Sequence, residues 1–106
     1  MFEIERAIER TRGSASGYAE FFRGPTMSLG VYRLPAGAED RQQPHGEDEV
    51  YYVLRGRGQL RTAGKDLPAR PGDVLYVPAR RPHRFHSIEE ELVLLVVFAP
   101  PEGSQG

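Results

Sequence analysis

The chain is predicted to be an all-β sandwich or barrel, on three observations. Glycine and proline, 12 and 9 of the 106 residues, are spread along the chain and cut it into short pieces. Between the cuts lie runs rich in β-branched and aromatic residues. The cuts themselves are turn-forming stretches such as "RGPT", "LPAGAED", "ARPGD" and "PARRP". Short strands at close spacing with this punctuation mark sheets packed face to face or closed on themselves. The length suits one domain with a single core.

Each element follows from its own pattern. Phe2, Ile4, Ala7 and Ile8 are spaced roughly as on one helix face before "RGSASG" stops the pattern, which predicts a short helical arm within residues 1–14. Strands are expected over Tyr18–Arg23, Met27–Leu34, Val50–Leu54, Gln59–Thr62, Val74–Val77, His83–Ser87 and Leu92–Phe98. "RGRG" and "TAGKD" read as turns, with Gly56 and Gly58 supplying positive φ in a hairpin. "ELVLLVVF" has no polar alternation, so both faces of that strand should be covered, one by the core and one by a second layer or a second subunit. Residues 100–106 read as a flexible tail, and nothing divides residues 1–106 into more than one domain.

Composition narrows the function classes. Hydrophobic residues make up 39% and charged residues 27%, as in folded globular chains, and the net charge is −1 without a basic patch that would suit nucleic acid. There is no cysteine, so disulfides and thiolate chemistry are excluded, and any metal must be held by histidine, carboxylate, amide or water. The apolar stretch after Glu91 is too short for a membrane-spanning helix, and the charged first residues do not resemble a secretion signal, so a cytoplasmic location is expected.

The chemistry concentrates in "QQPHGEDEV", Gln42 to Val50. Gln43 and His45 are two residues apart and project to one side of extended backbone, and Glu49 opens the next strand. Period-two counting puts Tyr51 and Val53 on the same face as Glu49. The other histidines, His83 and His86, are three apart, so a regular strand sends only one of them inward. Two imidazoles and a carboxylate on one side of an ion form a ligand set that iron, zinc and manganese all accept. Taken alone, a histidine beside acids is more often a solvated loop. Tyr51, Tyr76, Phe85 and Phe98 are candidates to line a substrate pocket, with core filling as the ordinary alternative. Arg80, Arg81 and Arg84 could steer an anionic ligand, although surface loops commonly carry such arginines.

With both clusters in view, the sequence resembles the cupin superfamily, specifically its small single-domain bacterial members. Gly37, five residues, Gln43-Pro44-His45, three residues, Glu49, six residues and Gly56 match the spacing of the first cupin motif, with Gln43 in place of its first histidine. Gly72, five residues, Pro78 and then His83 match the second, with Arg80 and Ser87 in place of its second glycine and its asparagine. The resemblance implies a double-stranded β-helix (jelly-roll) barrel, a homodimer, and one divalent metal ion held by Gln43, His45, Glu49 and His83. Glu47 and His86 stand in reserve. It implies iron, zinc, manganese or nickel without choosing among them, and a small-molecule ligand or substrate. If the chain is an enzyme, a metal-dependent dioxygenase-like or isomerase reaction is expected. The alternative is a non-catalytic module that binds or senses a small molecule, with or without metal. Some cupins use a metal-free histidine–aspartate or histidine–tyrosine pair, and no aspartate stands out for that role.

Overall fold

The computed structural model describes residues 2–40 and 42–104. One helix, α1 (Ile4–Thr11), precedes six strands: β1 (Tyr18–Arg23), β2 (Ser28–Leu34), β3 (Asp48–Thr62), β4 (Lys65–Ala69), β5 (Val74–Val77) and β6 (His83–Ala99). All pairings are antiparallel, in the order β1-β2-β6-β3-β4, with β5 on the free side of the first half of β3. The fold is the all-β jelly roll with a short N-terminal helix that the sequence predicts.

Two strands are longer than expected because segments read as separate are continuous. "RGRG" lies inside β3, and "SIEEE" lies inside β6. Inward positions in the first half of β3 are Glu49, Tyr51 and Val53, whereas in the second half they are Gly58, Leu60 and Thr62. The change from odd to even numbers coincides with register breaks between Val53 and Gln59 against β6. In β6 the same reversal separates His83 and Phe85 from Ile88, Leu92 and Leu94, with Ser87 at a positive φ of 50° between them. Bulges of this kind bend a strand and let it pass from one layer to the other. The first half of β3 and the second half of β6 thus belong to one layer, and their remaining halves to the facing layer. Tyr51 and Phe85 meet edge to face across the interior at 4.9 Å.

Gly56 serves this corner and not a hairpin. Its φ is +94°, and a Cβ there would lie 2.0 Å from the Glu91 carbonyl oxygen. The hairpin comes later, at Ala63-Gly64, where positive φ at both residues joins β3 to β4. β4 occupies sequence read as a turn and loop.

The apolar run of β6 is covered on both sides. Leu92, Leu94, Val96 and Phe98 enter the main core, and Val93 joins Val31, Ala7 and Ile8 in a second cluster beneath α1. An eight-residue helix is too short to persist alone, so this burial holds it. The predicted arm is therefore a packed layer over part of the outer sheet face. Residues 100–104 are also tied down. Pro101 is buried, the Glu102 N–H donates to Ser28 Oγ at 2.9 Å, and the Gly103 N–H donates to Glu47 Oε1 at 3.2 Å. The rest of the predicted tail, residues 105–106, lies outside the described residues. Among the described residues no helix is long and apolar enough to cross a membrane.

Candidate metal centre and ligand cavity

Alternation along β3 carries Glu49 and Tyr51 inward from one layer, and the start of β6 carries His83 inward from the other. Glu49 and His83 meet with Oε1 3.3 Å from Nε2, their side chains 2% and 1% exposed. His83 Nδ1 lies 2.9 Å from the Arg81 carbonyl oxygen, which can only accept, so Nδ1 carries a proton. In the neutral ring Nε2 therefore presents a lone pair, with the Tyr51 hydroxyl 3.0 Å away. Glu49 Oε1 faces that lone pair and has no hydrogen-bond partner, its contact with His83 being one of proximity and charge. Two buried acceptors turned on one another require a proton or a cation between them.

Electrostatics agrees. Burial acts to lower the His83 pKa, but the Glu49 carboxylate and the Arg81 carbonyl outweigh it and hold the imidazole above its ordinary value. The Tyr51 phenol is driven well above its ordinary range, first by burial and then by the Glu49 charge, so it remains a neutral donor.

The loop before β3 brings in His45. Its ring centroid lies 6.4 Å from that of His83 and 4.9 Å from that of Phe98, and its carbonyl accepts from the Arg80 N–H. Asp40 organises this loop, and no sequence pattern marked it. Buried at 6% exposure, it accepts from Tyr32 Oη at 3.0 Å, from the Gln42 N–H at 3.2 Å, from Gln42 Nε2 at 2.8 Å and from the Phe85 N–H at 2.8 Å. Because a carboxylate only accepts, it claims the amide nitrogen of Gln42 and turns Oε1 toward Tyr51 Oη, 3.3 Å away. Gln43, the residue at the motif position, is exposed and outside the cavity wall, where Gln42 stands in its place.

A cavity of about 630 Å³ opens beside these groups, with Tyr18, Tyr32, Gln42, His45, Glu49 and Phe98 on its wall. Of the four aromatics expected there, Phe98 lines it, whereas Tyr51 and Phe85 are buried in the core. Tyr76 is 57% exposed on the outer face, because β5 turns Leu75 and Val77 inward. His86 lies on the outer side, with Nε2 2.8 Å from Asp66 Oδ1, so the two histidines do separate to opposite faces.

Glu47 is buried at 2% and not the solvent-facing residue its place in "GEDE" suggests. His45, Glu47 and Glu102 bring ligand-type atoms within 4.8 Å of one another, which makes a second place where His45 could serve a cation. Glu47 already accepts from Gly103 there, and the Glu102 side chain is 36% exposed. The Glu49–His83 pair is the more demanding of charge compensation, being wholly enclosed.

Comparison with known proteins places the chain. An uncharacterized protein of Streptomyces coelicolor is 45% identical over 96 residues, 90% of this chain and 91% of that one. Acireductone dioxygenase 1 of Pectobacterium atrosepticum is 37% identical over 71 residues, covering 62% of this chain and 41% of that enzyme. The crystal structure of TT1209 from Thermus thermophilus superposes with a TM-score of 0.75 at 27% identity, over 95% of this chain and 97% of that one. A family model described as a cupin domain matches residues 30–98, most of the barrel and both ends of the site. The chain belongs to the cupin family.

Proposed function

We propose that this chain binds one divalent metal ion through Glu49, His83 and His45 and holds a small organic molecule beside it in the cavity. The observation that carries this reading is the enclosed pair of acceptors, Glu49 Oε1 and His83 Nε2, 3.3 Å apart. The donor set is suited to iron, zinc, manganese or nickel. When bound, such an ion supplies a Lewis acid or a centre for oxygen chemistry. The chain's own residues supply the rest. Arg81 fixes the His83 tautomer, Tyr51 donates to Gln42 Oε1 and so helps orient that amide, and the Tyr18, Tyr32 and Phe98 rings limit water.

Dioxygenase-like oxidation of a small enolisable molecule is the finer reading, supported by the partial likeness to an acireductone dioxygenase. A non-catalytic binding role is the second reading, and the exposure of Gln43 favours it, because three protein ligands remain where the motif supplies four. Oxygen uptake by the iron-loaded protein with candidate enediols separates them: turnover supports the first reading, and tight binding without uptake supports the second.

Metal is tested directly by elemental analysis of untagged protein purified without chelator. About one ion per chain is expected. Stripping with EDTA should lower the melting temperature by roughly 10 °C or more, since saturating ligand at 1,000 times Kd contributes about 4 kcal/mol to a domain of this size. Refilling with Zn²⁺ should restore it. Absence of metal, with no shift on adding divalent ions, sinks the reading.

The homodimer is part of the same proposal. Tyr52, Val74 and Tyr76 are 40%, 64% and 57% exposed on the outer sheet face, and the Tyr52–Leu95 and Tyr76–Val50–Val97 pairings join them to the half-buried β6 residues that α1 leaves uncovered. Sedimentation should give the mass of two chains, and Val74→Glu should give one by burying a charge in the contact. A monomeric parent protein at micromolar concentration overturns this part.

A further inference from the structure

His45 stands on a loop, and packing alone does not decide which of its ring nitrogens serves the proposed ion. Phe98 meets the ring edge to face at 4.9 Å and holds its plane. A half-turn about the Cβ–Cγ bond keeps that plane and exchanges the edges, so a polar partner has to choose between them. Glu102 stands where such a partner is needed. Its Oε2 lies 3.9 Å from His45 Nδ1, within ion-pair reach and beyond hydrogen-bond length. The Glu102 side chain is 36% exposed, which leaves it room to close the span. We propose that Glu102 is a positioning residue, which accepts a hydrogen bond from His45 Nδ1 and so leaves the Nε2 lone pair for the ion. This rests on the metal reading given above.

The C-terminal segment is secured in a way that leaves this carboxylate available. Pro101 is buried, the Glu102 N–H donates to Ser28 Oγ at 2.9 Å, and the Glu102 carbonyl accepts from Arg23 Nη2 at 2.8 Å. The next residue, Gly103, donates its N–H to Glu47 Oε1 at 3.2 Å. On Glu102 these anchors use backbone atoms alone, so the side chain is carried to His45 without being consumed.

His83 follows the same logic with a different partner, since the Arg81 carbonyl takes its Nδ1 proton. A carboxylate and a carbonyl can only accept, so each selects the tautomer with the proton on Nδ1 and a lone pair on Nε2. Outer partners of this kind fix the ring of a metal-binding histidine and raise its basicity. The competing arrangement is a cation held by His45, Glu47 and Glu102 themselves, with Nδ1 as the ligand. The two differ in which nitrogen carries the proton.

The test is long-range ¹H–¹⁵N NMR of the imidazoles in the parent, Glu102→Ala and Glu102→Gln, at a pH where the rings are neutral. His45 is assigned by its loss in His45→Gln. Each protein is measured EDTA-stripped and Zn²⁺-loaded, with zinc affinity from chelator competition and metal content assayed in the same samples. In the parent His45 should carry its proton on Nδ1 in both states, and Glu102→Ala should shift the stripped ring toward the other tautomer. Zinc should bind Glu102→Ala about 10–100-fold more weakly, as for other outer partners of a metal ligand. Glu102→Gln, whose amide oxygen still accepts, should recover most of that loss. Stripped Glu102→Ala should melt within about 3 °C of the parent, because the anchors of the segment remain. A proton on Nε2 in the stripped parent overturns the proposal, as does weaker zinc binding with an unchanged tautomer, or a Gln variant as weak as the Ala variant. Two zinc ions per chain, one of them lost in Glu102→Ala, would assign Nδ1 to the competing site and also overturn it. A parent that takes up no zinc sinks the metal reading, and the stripped-state tautomers still decide whether Glu102 orients the ring.

Discussion

His83→Ala is expected to abolish metal uptake and to destabilise the stripped protein by about 3–5 kcal/mol, the range for removing one partner of a buried ion pair. The loss is large because three things go at once. Glu49, already without a hydrogen bond at Oε1, loses the imidazole that faces it. Tyr51 loses its 3.0 Å partner, and the Arg81 carbonyl loses its donor. Glu49→Gln removes the charge but keeps the shape, so it should lose metal with a smaller stability change. Elemental analysis and urea titration of both variants measure this, and near-parental metal content in either would refute the assigned ligands. A pH dependence follows with a definite sign. In stripped protein the raised His83 pKa means the folded state holds a proton that the unfolded chain releases first. That stabilisation is complete below the unfolded value of about 6.5 and is lost as pH rises through the folded value. His83→Ala should lack this slope. Proton and metal compete for one gap, so metal affinity in the parent should rise over the same interval.

Asp40→Ala should be nearly as damaging, at about 3–5 kcal/mol, although Asp40 touches neither the proposed metal nor the ligand. Hydrogen bonds to a charged group contribute about 1.5–3 kcal/mol each, and truncation strands the Tyr32 hydroxyl and the Phe85 N–H in the interior. The melting temperature should fall by roughly 15 °C or more. Asp40→Asn retains the shape and one acceptor, so about half of that loss is expected. Asp40 also joins the two ends of the site, since it holds Gln42 in the loop and Phe85 two residues beyond His83. Metal affinity in Asp40→Asn should therefore fall about tenfold, as for other groups that orient ligands indirectly. Unchanged stability in Asp40→Ala would show that the four contacts do not hold the loop.

Much of this was legible in the sequence because period-two alternation and glycine–proline punctuation are local properties. β1, β2 and β5 fall where their patterns put them. The two motifs, at the right spacing, pointed to the fold and to Gln43, His45, Glu49 and His83, of which Glu49 and His83 meet, His45 stands on the cavity wall and Gln43 is exposed. What escaped depends on distant partners. Whether "RGRG" turns the chain back or bends it through a corner is decided by β6 running alongside, and nothing inside those four residues states it. Glu47 reads as a surface acid until Gly103 returns to cap it. Asp40 is one acid in a polar loop, and its donors come from Tyr32, Gln42 and Phe85, which only the folded chain brings together.

The corner in β3 has a mechanical consequence. Glu49 stands seven residues before Gly56, so at about 3.3 Å per residue it rides on a lever of roughly 23 Å. A change of about 3° in the corner would move its carboxylate by roughly 1 Å relative to His83 on the facing layer, as much as separates a good metal span from a poor one. Stiffness at a backbone corner far from the Glu49–His83 pair therefore bears on the span offered to the proposed ion. Gly56, wedged against the Glu91 carbonyl, is the calliper screw of the site.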